Sequence, residues 1–198
     1  LLFDRLYNKA RVMKLLKNSW PIILLVGIEA ILFITNYKPG TYLIGWDNLM
    51  PEFNLALNFK RALFSVWQDY RGLGLPDGMA QAANLVHTTF IFILSSVLPQ
   101  NLLRYSMITL LHLAGGISMY FLIIKLLAKT ANGQWSMVNG QLLSFIAALF
   151  YMFNIGVIQI FFAPLEVFAF HFAALPVLSL WIKNSLDKPS PKNILILF

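Results

Sequence analysis

The chain has 198 residues, of which 59% are hydrophobic and only 12% charged, with 15 Lys/Arg against 8 Asp/Glu and no cysteine. Soluble domains carry about 25% charged residues, so half that share excludes a water-facing globular surface, a disordered tail and a nucleic-acid-binding module. The missing thiols exclude a disulfide framework, a thiolate metal site and a cysteine nucleophile.

What remains is an all-α integral membrane protein, a polytopic transmembrane helix bundle whose net charge of +7 reports topology and not polyanion binding. Residues 1–18 carry Arg5, Lys9, Arg11, Lys14 and Lys17 against Asp4, with Leu2, Phe3, Leu6, Ala10 and Met13 at helical spacing. They read as a basic amphipathic helix on the cytoplasmic face, or simply as a positive flank. Residues 20–37 form the first span. The chain continues through Lys38-Pro39-Gly40 without a small-residue cleavage site, so the span is an anchor and not a removed signal. Glu29 inside it is costly and should face other helices.

Residues 38–83 are the most polar internal stretch, with Asp47, Glu52, Asp69 and Asp77, and they are expected outside. Pro51 suits the first turn of a helix. Ala56, Phe59, Leu63, Val66, Trp67 and Tyr70 then recur at helical steps, opposite Asn54, Asn58, Arg61, Ser65 and Gln68. The pattern predicts an outer-face loop of amphipathic juxtamembrane helices. Residues 71–78 follow as a glycine-rich turn.

Residues 84–98 are apolar but short for a full span, and read as a dipping or interfacial segment. Residues 102–127, 142–162 and 167–182 are the second, third and fourth spans. The run 193–198 begins another, so the chain reads as the N-terminal part of a longer one. With the N-terminus in the cytoplasm and 84–98 not crossing, ten Lys/Arg lie inside and five outside; if it crosses, six lie inside and nine outside. The positive-inside rule favours the first arrangement, with four spans. Gly115, Gly116 and Ser118 suggest a close helix contact.

Chemistry is best sought in Gly45-Trp46-Asp47-Asn48-Leu49-Met50-Pro51-Glu52. A carboxylate at the membrane surface can take a proton from a hydroxyl acceptor, which makes Asp47 and Glu52 the candidate catalytic carboxylates, acting as general base. The competing reading is that Asp47 caps the next helix and Glu52 complements its dipole. Lys60, Arg61, and better Arg71 beside Gly72 and Gly74, are candidates to hold a phosphate; for Lys60 and Arg61 the competing reading is a solvated charge on an interfacial helix. His87, at the start of the dipping segment, and Glu166, at the outer end of the last span, are further candidates for substrate binding. His87, His112 and His171 share no ligand spacing, so no metal site is assigned from them.

The order of these features resembles the N-terminal region of GT-C type polytopic membrane glycosyltransferases. The likeness is to bacterial families that glycosylate teichoic-acid-like polymers and to mycobacterial arabinofuranosyltransferases. It rests on the basic N-terminus, the loop acid in Gly45-Trp46-Asp47, the stretch Trp67 to Gly78, Arg104, and Ile124-Lys125-Leu126-Leu127, and covers roughly residues 18–182. The resemblance implies a polyprenyl-phosphate sugar donor and a glycan, lipid or protein acceptor. It implies inverting transfer on the extracytoplasmic face of a prokaryotic plasma membrane, with Asp47 at the position of the base. Many members have two adjacent acids where this chain has Asp47-Asn48, which leaves the role of Glu52 open. No cofactor is implied with certainty, and a divalent metal is left open. No nucleic acid is expected; membrane lipid is a partner. The alternatives are a transporter or flippase of lipid-linked saccharides, and a non-catalytic membrane scaffold.

Overall fold

The computed structural model describes residues 2–44, 50–64, 67–68, 72–76, 84–130, 137–163, 165–187 and 189–191. Nearly all of the regular structure is helical. Three helices are long and apolar enough to cross a membrane, and a bent helix pair makes up to a fourth. Ile31, Ile34, Phe150, Phe162 and Leu186 point outward and are largely exposed. Apolar side chains on that scale suit lipid and not water, so the chain reads as membrane-embedded.

α1 runs unbroken over Leu2–Asn36, and its candidate span is Ser19–Asn36. The basic segment and the first span are thus one helix, continuous through Pro21. The end is built locally. Thr35 Oγ1 donates to the carbonyls of Ile31 and Leu32, and Asn36 Nδ2 to that of Leu32. These are second bonds to carbonyls of the closing turns and hold both polar side chains against their own helix; Pro39-Gly40 then turns the chain.

A single 3-10 turn, Pro51–Phe53, precedes α2, Leu55–Phe64. Asn54 restarts the helix, its Oδ1 accepting from the Leu57 N–H. The apolar periodicity continues to Tyr70, but α2 stops at Phe64. Trp67–Gln68 (β1) instead pairs antiparallel with Leu75–Pro76 (β2), Trp67 opposite Pro76. Gly72 and Gly74 make the return possible with φ of 56° and 89°, which L side chains rarely adopt. A Cβ on Gly74 would stand 2.7 Å from the Trp67 ring, so the indole closes over a site that only glycine leaves open.

α3, Leu85–Leu94, has ten residues. At 1.5 Å per residue it reaches about 15 Å, half of a hydrocarbon core. It lies against α2, where Phe59 stacks on Phe92 at 5.3 Å.

α4, Gln100–Thr130, is the hub and touches α1, α3, α5 and α7. The expected third span is broken. α5, Met137–Phe153, and α6, Ile155–Phe162, meet at 52° about Asn154. Asn154 serves both pieces: Nδ2 donates to the Tyr151 carbonyl at 2.9 Å, and Oδ1 accepts from the Val157 N–H at 3.1 Å. One side chain therefore satisfies groups that the break exposes on either side. α7, Glu166–Asp187, packs back along α4. One core joins Leu25, Tyr120, Phe145, Met152 and Phe172. A second joins Ile91, Leu103, Met107, Leu111 and Ala169.

Candidate functional site

Arg104 lies in the second turn of α4, one turn beyond Gln100 on the same face. Its side chain is 2% exposed and meets two acids from distant elements. Nε lies 2.9 Å from Glu52 Oε1, and Nη2 donates to Glu52 Oε2 at 3.1 Å. Nη1 lies 2.7 Å from Glu166 Oε1. The planar guanidinium suits this forked arrangement in a way a lysine would not. Gln100 Nε2 adds a bond to the Glu52 backbone carbonyl at 2.6 Å. Glu166 opens α7, where a negative charge also complements the helix dipole.

This cluster fixes geometry. Arg104 and Glu166 can meet only if α4 and α7 begin at the same end. The bent α5–α6 pair therefore returns the chain to that end, and the Pro51–Phe53 turn is bolted there too. The cluster ties α4, α7 and the Pro51–Phe53 turn together and is accordingly a clamp.

His87 sits beside it, in the first turn of α3, and is 2% exposed. Neither ring nitrogen has a hydrogen-bond partner among the described residues. Burial, with the Arg104 charge adding to it, pushes the imidazole down from its ordinary 6.5 to about 3. His87 is therefore neutral at physiological pH, and this has a measurable consequence. Between about 6.5 and 3 the unfolded chain takes up a proton that the folded one refuses, so stability must fall as pH falls through that window. The expected loss is about 1.4 kcal/mol per pH unit below 6.5. Thermal unfolding in detergent should show the unsubstituted protein losing about 2–3 kcal/mol by pH ~4.5 relative to His87→Leu. Parallel profiles for the two proteins would mean that the folded state accepts the proton.

The other residues expected from sequence are placed as follows. Glu52, Glu166 and His87 come together around Arg104. Gly72 and Gly74 form the β1–β2 turn. Arg61 stands in the last turn of α2 and is half-buried. Asp47 and Arg71 lie outside the described residues. Arg104 is the residue whose role sequence reasoning missed, although a lone cation at the head of a long apolar segment was a readable sign. Among the described residues, no three His, Cys, Asp or Glu side chains group as metal ligands do.

A second polar centre lies deeper, between α1, α4 and α5. Glu29 and His112 are buried and 2.7 Å apart, beside a cavity of about 420 Å³. Comparison with protein-family models, curated proteins and solved structures finds no match for the chain.

Proposed function

We propose that this chain is part of a membrane glycosyltransferase of the GT-C type. It moves a sugar from a polyprenyl-phosphate donor to a cell-envelope glycan, lipid or protein on the extracytoplasmic face. The observation that supports this reading best is the anchoring of the loop after the first span. On one side of residues 45–49, Thr41 Oγ1 and the Tyr105 hydroxyl of α4 are 3.1 Å apart. On the other, Glu52 is locked to Arg104 and, through it, to Glu166. Asp47 lies five residues from Glu52. It is therefore tethered within about 18 Å of the clamp by chain length alone.

In this reading Asp47 takes the proton of the acceptor hydroxyl as the sugar–phosphate bond breaks. The phosphate departs as a stable anion, so no strong acid is required of the protein. The carbohydrate develops oxocarbenium character, as in inverting glycosidases. Glu52 is a positioning residue, because both its oxygens already face Arg104. Arg71, near the glycine turn, is the cation proposed for the leaving phosphate.

The test is sugar transfer by the protein in membranes, with a panel of polyprenyl-phosphate sugars. Asp47→Asn should insert normally and lose transfer by about 10²–10⁴-fold, the usual contribution of a general base. A variant that inserts and transfers at the unsubstituted rate removes Asp47 from the mechanism.

One observation favours the second reading, a transporter of lipid-linked saccharides. The broken α5–α6 helix borders the cavity that carries Glu29 and His112, and broken helices and buried ionisable pairs recur in transporters. Translocation of a lipid-linked saccharide into vesicles, with no transfer from any donor, would decide for it.

A further inference from the structure

His112 of α4 is held at both ring nitrogens. Nδ1 lies 2.7 Å from Glu29 Oε2 of α1, and Nε2 lies 3.1 Å from the Met152 carbonyl oxygen of α5. A carbonyl only accepts, and so does an ionised carboxylate. A neutral imidazole offers one N–H and one lone pair. Placed between these two groups it can make one contact and must turn its lone pair on the other. Making both requires one further proton, either on Nδ1 or on the Glu29 carboxyl.

From this we infer that Glu29 and His112 together form a proton-binding site tied to the helix break. The proton comes from bulk water and forms an N–H or O–H bond in the shared contact. The charge of the pair goes from −1 to zero. That neutral state suits the surroundings, since Glu29 is only 4% and His112 7% exposed and a bare buried carboxylate is costly. The rings of Phe153, Phe161 and Phe172 surround the imidazole at 4.5–5.8 Å. They bring no charge from α5, α6 or α7. Among the described residues, Tyr105 is the remaining titratable side chain lining the cavity, and its hydroxyl is engaged with Thr41.

Loss of the proton forces a choice. The charge-assisted bond to Glu29 is the stronger of the two, so the single N–H goes to Nδ1 and the Met152 contact is released. Met152 stands two residues before Asn154, in the last turn of α5, where carbonyls lack intrahelical partners. Deprotonation thus removes the hydrogen bond that links α4 to the α5 side of the break, and the cavity borders that side. The site operates whether or not sugar transfer is the chemistry of the protein, and neither readout below requires a donor.

The chain has no cysteine, so spin labels can be placed at will. Ile34 of α1 and Phe162 of α6 are 74% and 87% exposed. An Ile34→Cys, Phe162→Cys protein in nanodiscs should show a spin–spin distance distribution that differs between acidic and alkaline buffer. Adding Glu29→Gln should freeze the distribution at its low-pH form, because the glutamine amide donates to Nδ1 while Nε2–H still donates to Met152. A response that survives Glu29→Gln overturns the inference. Should that variant fail to insert, the ¹⁵N ring shifts of His112 in the unsubstituted protein carry the test. A change in which nitrogen holds the proton as pH rises supports the site, and one unchanged pattern throughout overturns it.

Discussion

Arg104→Met is expected to destabilise the fold by about 3–5 kcal/mol, the cost of breaking a buried ion pair from one side. The substitution keeps most of the side-chain volume and removes the charge. Glu52 and Glu166, 4% and 1% exposed, then face each other without the cation that holds them. Two consequences separate this cause from lost packing. Arg104→Lys should recover part of the loss, since it restores the charge but not the forked contact to Glu52. The triple variant Glu52→Gln, Arg104→Met, Glu166→Gln should recover more, because no buried charge is then left alone. Thermal unfolding of the detergent-solubilised protein reads all three. A loss under about 1 kcal/mol in Arg104→Met, the value of a solvent-exposed pair, would mean that water reaches the cluster.

Gly115→Ala is the second large effect. A Cβ added there would run into Phe172 Cε1 and stand 2.6 Å from its Cδ1. That ring has nowhere to go. It stacks on Tyr151 at 4.4 Å, faces His112 at 5.7 Å and meets the edge of Phe161 at 5.2 Å. The Tyr151 hydroxyl also donates to the Phe172 carbonyl at 2.7 Å, which fixes the backbone beneath it. One methyl must therefore separate α4 from α7, at a cost of about 1–3 kcal/mol. Gly116→Ala makes the useful contrast. Its Cβ would run into Met152 Sδ, a close approach to a side chain that can swing aside, so the loss should be smaller. Phe172→Leu in the Gly115→Ala background should restore part of the stability, giving a coupling energy of about 0.5–3 kcal/mol for residues in contact. Equal losses for the two glycines would mean that the α4–α7 contact is not ring-limited.

Gly115 and Gly116 were legible in the sequence as a close helix contact, because small residues side by side in an apolar helix have few other uses. Ser118, grouped with them, instead donates to the Ala114 carbonyl within its own helix. The glycine turn after Trp67 was legible for a similar reason. Glycine marks backbone that other residues avoid, and Gly72 and Gly74 both have positive φ. The end of α2 was not legible. The apolar period runs on to Tyr70, but the indole of Trp67 is drawn out of it to cover Gly74. Asn154 was readable in principle, as a polar side chain in an apolar run with glycine two residues later. Only the bend itself shows that it serves two helices at once.

The sequence by itself determined the apolar segments that make the long helices, the α3 stretch too short to cross a bilayer, and the places where Glu29, Glu52, His87 and Glu166 stand along the chain. These are local properties: hydrophobic length is counted residue by residue, and it sets what a segment can span. The tertiary structure decided which of those groups meet. Glu52 and Arg104 are 52 residues apart, and Glu29 and His112 are 83 apart. No period or spacing encodes such pairs, because they depend on which helices stack and at what height. The need for a partner is written in one residue, a charge that an apolar interior cannot hold alone; the identity of the partner belongs to the packing of the whole.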